Sequence, residues 1–144
     1  MINGILYKLL PVRDPHELRL INWTYLKKPH PSKRVEFAGS YWNRHRGFCC
    51  GSFSYPAYRD FAEQAEGFSD VFAFSYGTYP VTISTPDALF AASGQIVSGN
   101  FFKGYGAPVL IGRPITPEDD QPDADPVTVI TYDLWERAFG LDPH

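Results

Sequence analysis

Along this chain the spacing of hydrophobic and polar positions changes repeatedly, and each change marks an element. Leu18, Leu20 and Asn22 alternate with Arg19, Ile21 and Trp23, which predicts a strand over Leu18 to Trp23. From Tyr25 to Gly51 no period is sustained; Lys, Arg, His, Pro and Gly dominate, and the stretch reads as a loop or insertion. Ser54 suits a helix N-cap and Pro56 a first turn, because proline fixes φ and has no N–H to satisfy there. The predicted helix runs to about Ala65, with Tyr58, Phe61 and Ala65 on one apolar stripe, and Gly67 stops it.

Strand-like alternation follows in Val71 to Tyr76, in Tyr79 to Ser84 and, after the Thr85-Pro86-Asp87 turn signal, in Ala88 to Val97. Asn100 to Tyr105 reads as one helical turn closed by Gly106. Pro126 to Thr131 is a β-branched run and predicts a strand; Asp133 to Phe139 predicts a short helix ending at Gly140. The fold class this implies is α+β: two layers, a mostly antiparallel sheet with helices on one face. No repeat of solenoid period and no low-complexity tract interrupts it.

The 144 residues suit one domain, and 44% apolar with 20% charged residues excludes disordered and collagen-like classes. Charge is uneven. Residues 1–60 hold 10 Lys/Arg against 4 Asp/Glu, whereas residues 61–144 hold 3 against 12. The basic part reads either as a membrane- or partner-facing end or as a solvated loop. No run approaches the roughly 18–20 apolar residues of a membrane span. The nearest, Ile2 to Leu10, contains Asn3, Gly4 and Lys8 and lacks the flanks of a signal peptide, so the chain alone reads as soluble with no export signal.

Candidate chemistry is thin. Cys49 and Cys50 are adjacent, closer along the chain than an ordinary disulfide permits, and read as two thiols or as partners for intermolecular pairing. His16, His30, His45 and His144 have no partner at helical spacing and read as surface. Glu118, Asp119, Asp120, Asp123 and Asp125 lack the pattern of a calcium loop and read as a turn after Thr116, the acids lying against a helix start. Ser98-Gly99-Asn100 reads as a tight turn, since no nucleophile-elbow glycines flank Ser98; Gly104-Tyr105-Gly106 lacks the third glycine of a dinucleotide loop. Lys27, Lys28, Lys33, Arg34, Arg44 and Arg46 interleave with Tyr25, Tyr41 and Trp42, which leaves as an alternative a basic-loop binding module for nucleic acid or anionic lipid. A small hydrolase has only scattered Ser, His and Asp in its favour. The expectation is a non-enzyme with no catalytic, cofactor or metal residues.

Six runs in order resemble the MacB-like periplasmic core domain of ABC-transporter permeases, close to the acidobacterial type within the FtsX/MacB class. They are LLPVRDPHELRLINW (Leu9–Trp23), FSYPAYRDF (Phe53–Phe61), Gly67-Phe68-Ser69-Asp70-Val71, VSGNFFKGYG (Val97–Gly106), IGRPITPEDD (Ile111–Asp120) and PVTVITYDLWERAFGLDP (Pro126–Pro143). The positions that carry the resemblance are Pro11, Asp14, Pro15, Tyr55, Pro56, Tyr58, Gly99, Phe102, Gly106, Gly112, Arg113, Trp135 and Phe139.

The resemblance implies a permease with one membrane helix, a large periplasmic domain and three further helices, working with a cytoplasmic ATPase. In that frame residues 1–10 are the remnant of the first membrane helix. Residues 11–143 are then a partial periplasmic core, with 25–51 a loop or insertion, and the chain is a fragment. The implied role is an extracytoplasmic module coupling membrane-helix motion to a periplasmic substrate or partner, in efflux or mechanotransmission. The implied partners are the membrane helices, the rest of the periplasmic part, the ATPase and a periplasmic adaptor, with no nucleic acid. A sheet edge left open would invite self-association.

Roles within this scaffold follow from residue type. Gly99 and Gly106 are expected where the backbone needs positive φ or close approach, around a short turn carrying Phe101 and Phe102. Gly112 is expected in a turn, with Arg113 paired to Glu118 or Asp119. Trp135 and Phe139 are expected to bury the last helix on the sheet, at roughly 1.5–3 kcal/mol for each large side chain.

Overall fold

A computed structural model describes residues 14–25 and 40–143. They divide into two compact units, residues 14–66 and residues 67–143. Ile2 to Leu10, Pro11, His30, His144 and the cluster Lys27, Lys28, Lys33 and Arg34 lie outside the described residues. Both units combine antiparallel strands with helix, so the chain is α+β as expected, with two small sheets in place of one.

The first unit is built on three strands, β1 (Trp23–Tyr25), β2 (Ser40–Asn43) and β3 (Gly47–Cys50), in the order β1-β3-β2. Each neighbour of β3 is antiparallel to it, with Thr24 and Tyr41 opposite Cys49, and Trp23 and Ser40 opposite Cys50. Two expectations are corrected here. The strand predicted over Leu18 to Trp23 begins only at Trp23. Upstream, backbone carbonyls are taken by side chains: the Arg19 guanidinium donates to the His16 and Leu18 carbonyls, and the Asn22 amide donates to the Leu20 carbonyl. The stretch Tyr25 to Gly51, expected as a loop, carries β2 and β3. At Cys49 and Cys50 this central strand is buried on both faces and so shows no alternation. Gly47, Cys49 and Cys50 are all buried, at opposite faces for the adjacent cysteines, and neither cysteine forms a disulfide.

Helix α1 (Tyr55–Gln64) completes this unit and matches its prediction. The Ser54 hydroxyl accepts from the Ala57 N–H, Pro56 lies in the first turn, and Gly67, two residues beyond the C-cap Ala65, has a left-handed φ of 84°. Phe53 packs edge-on against Phe61, at 5.8 Å between ring centroids.

In the second unit β4 (Tyr79–Ser84) and β5 (Leu89–Gly94) form a hairpin. Tyr79, Val81 and Ile83 lie opposite Gly94, Ala92 and Phe90, giving one apolar face. The Thr85 N–H donates to the Ala88 carbonyl across the turn. Counting alternate pairs from there puts Pro80 at a non-hydrogen-bonded position, so its missing N–H faces the outer edge of β4 and blunts it.

The predicted strand Val71 to Tyr76 is reduced to one bridge, Phe74 with Val97, held by Ser75 N–H to the Ile96 carbonyl and Ser98 N–H to the Ala73 carbonyl. Between this bridge and the Tyr79–Gly94 pair the two chains advance by unequal numbers of residues, producing a bulge. Gly77, at φ 77°, turns the chain through it, and the Ser75 hydroxyl donates to the Gly77 carbonyl and accepts from the Ile96 N–H.

Helix α2 (Phe101–Tyr105) follows, closed by Gly106 in the left-handed conformation, and α3 (Tyr132–Phe139) ends at Gly140 in the same conformation. The β-branched run Pro126 to Thr131 forms no strand and makes no sheet pairing among the described residues. β propensity expresses a fit to a pleated neighbour, and without the neighbour it forms nothing. The burial expected of α3 is also corrected. Leu134 is its buried residue, Phe139 is 41% exposed, and the Trp135 indole donates to the Asp142 carbonyl instead of lying wholly in a core.

Candidate functional site

The densest set of long-range polar contacts in the described residues surrounds Ser98-Gly99-Asn100, the turn between the bridge at Val97 and α2. Ser98 is 3% exposed. Its hydroxyl accepts from the Ala73 N–H at 2.9 Å and donates to the Asn100 side-chain oxygen at 2.8 Å. The Asn100 amide nitrogen donates to the Asp70 carboxylate at 2.6 Å and to the Val71 carbonyl at 2.8 Å. Asn100 occupies the N-cap position of α2 without capping it, because its side chain is committed to these contacts.

From the other side, the Asp120 carboxylate accepts from the Gly99 N–H at 2.8 Å. Gly99 has no room for a side chain: a Cβ there would lie 2.6 Å from both the Pro117 Cα and the Thr116 carbonyl oxygen. Close approach is thus what Gly99 supplies, while Gly106 supplies a positive φ of 72°. Three segments distant in sequence, around residues 70–73, 98–100 and 116–120, are tied at one point.

Beside this tie the aromatic residues close ranks. Phe101 stacks on Tyr105 at 5.2 Å and meets Phe72, Phe74 and Phe102 edge-on at 5.5, 6.1 and 5.7 Å. Gly104 lets the Phe72 ring reach the α2 backbone, since a Cβ there would fall 2.3 Å from the ring.

The segment after Gly112, whose φ is 79°, is closed by a clamp. Arg113 donates to both oxygens of Asp119, at 2.6 and 2.8 Å, which settles its pairing between Glu118 and Asp119. Asp119 also accepts from the Thr116 N–H at 2.8 Å. The turn expected after Thr116 is present at residues 117–119, but no helix follows it directly. The Arg113 hydrogen bonds and then the Thr116 N–H hold the Asp119 carboxyl far below the ordinary carboxylate range. For an acid shifted down, the stabilisation is present above its unfolded pKa and is lost as pH falls through the folded value. The carboxyl resonance of Asp119 is thus expected to stay constant from neutral pH to well below the unfolded midpoint of about 3.9. A midpoint near 4 by NMR titration would contradict the clamp.

The remaining positions of the resemblance are dispersed. Asp14 turns the chain with φ 43° next to Pro15, accepting from the Glu17 N–H. Tyr55 and Tyr58 pair on α1 at 5.6 Å with Pro56 between them. Gly99, Phe102 and Gly106 gather at α2, Gly112 and Arg113 at the clamp, and Trp135 and Phe139 on α3. His16 and His45 are exposed, and no His/Cys/Asp/Glu group among the described residues is placed to hold a metal ion. Nothing in the sequence marks Asp70, Ser98, Asn100 and Asp120 as a set. Their only sequence signal is the Ser-Gly-Asn turn ahead of a helix, which reveals the turn but not its distant partners.

These observations define a scaffold, in which polar side chains bind segments of the chain to one another. The profile of the MacB-like periplasmic core domain matches residues 22–143, including the stretch expected as an insertion. The chain belongs to that family, the periplasmic modules of ABC-transporter permeases. No curated protein and no solved structure matches it. Among the described residues no helix is long and apolar enough to cross a membrane.

Proposed function

We propose that this chain is a non-enzymatic extracytoplasmic module that couples the motion of permease membrane helices to a periplasmic substrate or partner, in efflux or mechanotransmission. The family match over residues 22–143 carries this reading. The site supports it: the Ser98 hydroxyl, the Asn100 amide and the Asp70 and Asp120 carboxylates are spent on internal ties. A module that transmits force needs its segments fastened, and these contacts fasten them.

In this reading residues 11–143 form the periplasmic core and Ile2 to Leu10 is the end of the first membrane helix. The partners are the membrane helices, a cytoplasmic ATPase and a periplasmic adaptor. Affinity purification of the native protein from detergent-solubilised membranes tests the assembly. The expected result is co-purification of an ATP-binding-cassette ATPase whose ATP turnover falls when Asn100→Ala is introduced. Recovery from the membrane without an ATPase, or ATP turnover indifferent to the substitution, would refute the coupling role.

A further inference from the structure

The β2–β3 hairpin ends in a built cationic tip. The Asn43 side-chain oxygen accepts from the His45 and Arg46 N–H groups at 2.9 and 3.0 Å, and Gly47 turns the chain with φ 81°. This fixed turn presents Arg44, His45 and Arg46 in succession, all exposed, and none is ion-paired among the described residues. Residues 40–53 contain no Asp or Glu. Immediately behind the tip the register sets Tyr25 directly opposite Phe48, on one face of the sheet. Tyr25 is 51% exposed, and the Trp23 ring touches Phe48 on the same face at 5.9 Å. By contrast, residues 67–143 hold 3 Lys/Arg against 10 Asp/Glu.

We propose that this tip and the aromatic residues behind it form a docking surface for an anionic phospholipid membrane. Arginine guanidinium groups bind phosphate through paired N–H donors, and aromatic rings with polar edges favour the headgroup region. A cationic tip alone would suit an acidic protein equally well; the adjoining aromatic residues favour the lipid interface. The acidic second unit is repelled by the same surface, so charge alone selects which part of the chain approaches it. The choice of a membrane over a nucleic acid rests on the extracytoplasmic placement given by the family.

The test is co-flotation of the full chain with vesicles of phosphatidylcholine alone and of an equal mixture of phosphatidylcholine and phosphatidylglycerol. Binding is expected to the mixed vesicles only, and to fall as salt is raised. Each arginine near such a surface contributes about fivefold in affinity, so Arg44→Ala with Arg46→Ala is expected to weaken binding on the order of 10- to 30-fold. The far-ultraviolet circular dichroism should be unchanged, since neither side chain is hydrogen-bonded or ion-paired among the described residues. Tyr25→Ala is expected to weaken binding without altering its salt dependence. Absence of binding, equal binding to neutral vesicles, indifference to the arginine substitutions, or equally tight binding of polyglutamate or a single-stranded oligonucleotide would each overturn the proposal. Failure here leaves the coupling role untouched, because that role is read from the co-purified ATPase.

Discussion

Gly99→Ala is expected to lower the thermal midpoint of the chain's second unit by several degrees or more. The added Cβ would sit 2.6 Å from the Pro117 Cα and the Thr116 carbonyl oxygen and 2.9 Å from the Asp120 Cβ. Two of these are backbone atoms, so no rotamer change relieves the overlap. The segment 116–120 must move away, which lengthens the Gly99 N–H to Asp120 bond at the same time. Overpacking of this kind costs about 1–3 kcal/mol, and 1 kcal/mol corresponds to about 4–8 °C in a domain of this size. Gly112→Ala is the comparison, since open space surrounds that position and only its φ of 79° opposes the change. Melting curves of the two variants separate steric exclusion from backbone strain. A Gly99→Ala midpoint within about 2 °C of wild type would show that the close approach is dispensable.

Asn100→Ala carries the second large effect. The substitution removes both donors to Asp70 and Val71 and the acceptor of the Ser98 hydroxyl, all in a partly buried setting. Leaving a buried polar group unsatisfied costs about 1–3 kcal/mol, and here more than one group is left. Asn100→Asp sharpens the test through pH. It sets a second carboxylate against Asp70, where the amide nitrogen now lies at 2.6 Å. Two like charges so close raise the pKa of the pair, so the variant's stability is retained at acidic pH and lost as pH rises through the raised value. Denaturant unfolding across pH is expected to show this inverted profile for Asn100→Asp and not for wild type. Parallel profiles would mean that Asn100 and Asp70 are not coupled.

How much of this was legible in the sequence depended on whether the signal was local. Helix α1 is announced by Ser54, Pro56 and Gly67, all within a few residues of what they cap. The β4–β5 hairpin is announced by its alternation and by Thr85-Pro86-Asp87. Gly106 and Gly112 were placed correctly because positive φ is a local requirement. Strand β3 was missed because Gly47, Cys49 and Cys50 are buried without regard to parity, which erases the period of two. The hairpin's own signal, Asn43 followed by Gly47, was hidden among the basic residues that gave the stretch the look of a loop. Pro126 to Thr131 failed in the opposite sense, with strand composition but no strand pairing among the described residues. The Ser98–Asn100–Asp70 tie was illegible for the same physical reason: Ser98 and Asn100 were visible as a turn, but their partner lies about 30 residues away, and only folding brings it within hydrogen-bond reach.

The central claim, that this is an extracytoplasmic domain of a membrane permease, is tested most directly by where Pro143 resides in the cell. A reporter enzyme that folds only outside the cytoplasm, fused after Pro143 in the protein as its gene encodes it, is predicted to be active in cells and to fractionate with the membrane. A reporter that stays inactive, while a fusion requiring the cytoplasm is active at the same position, would contradict the claim.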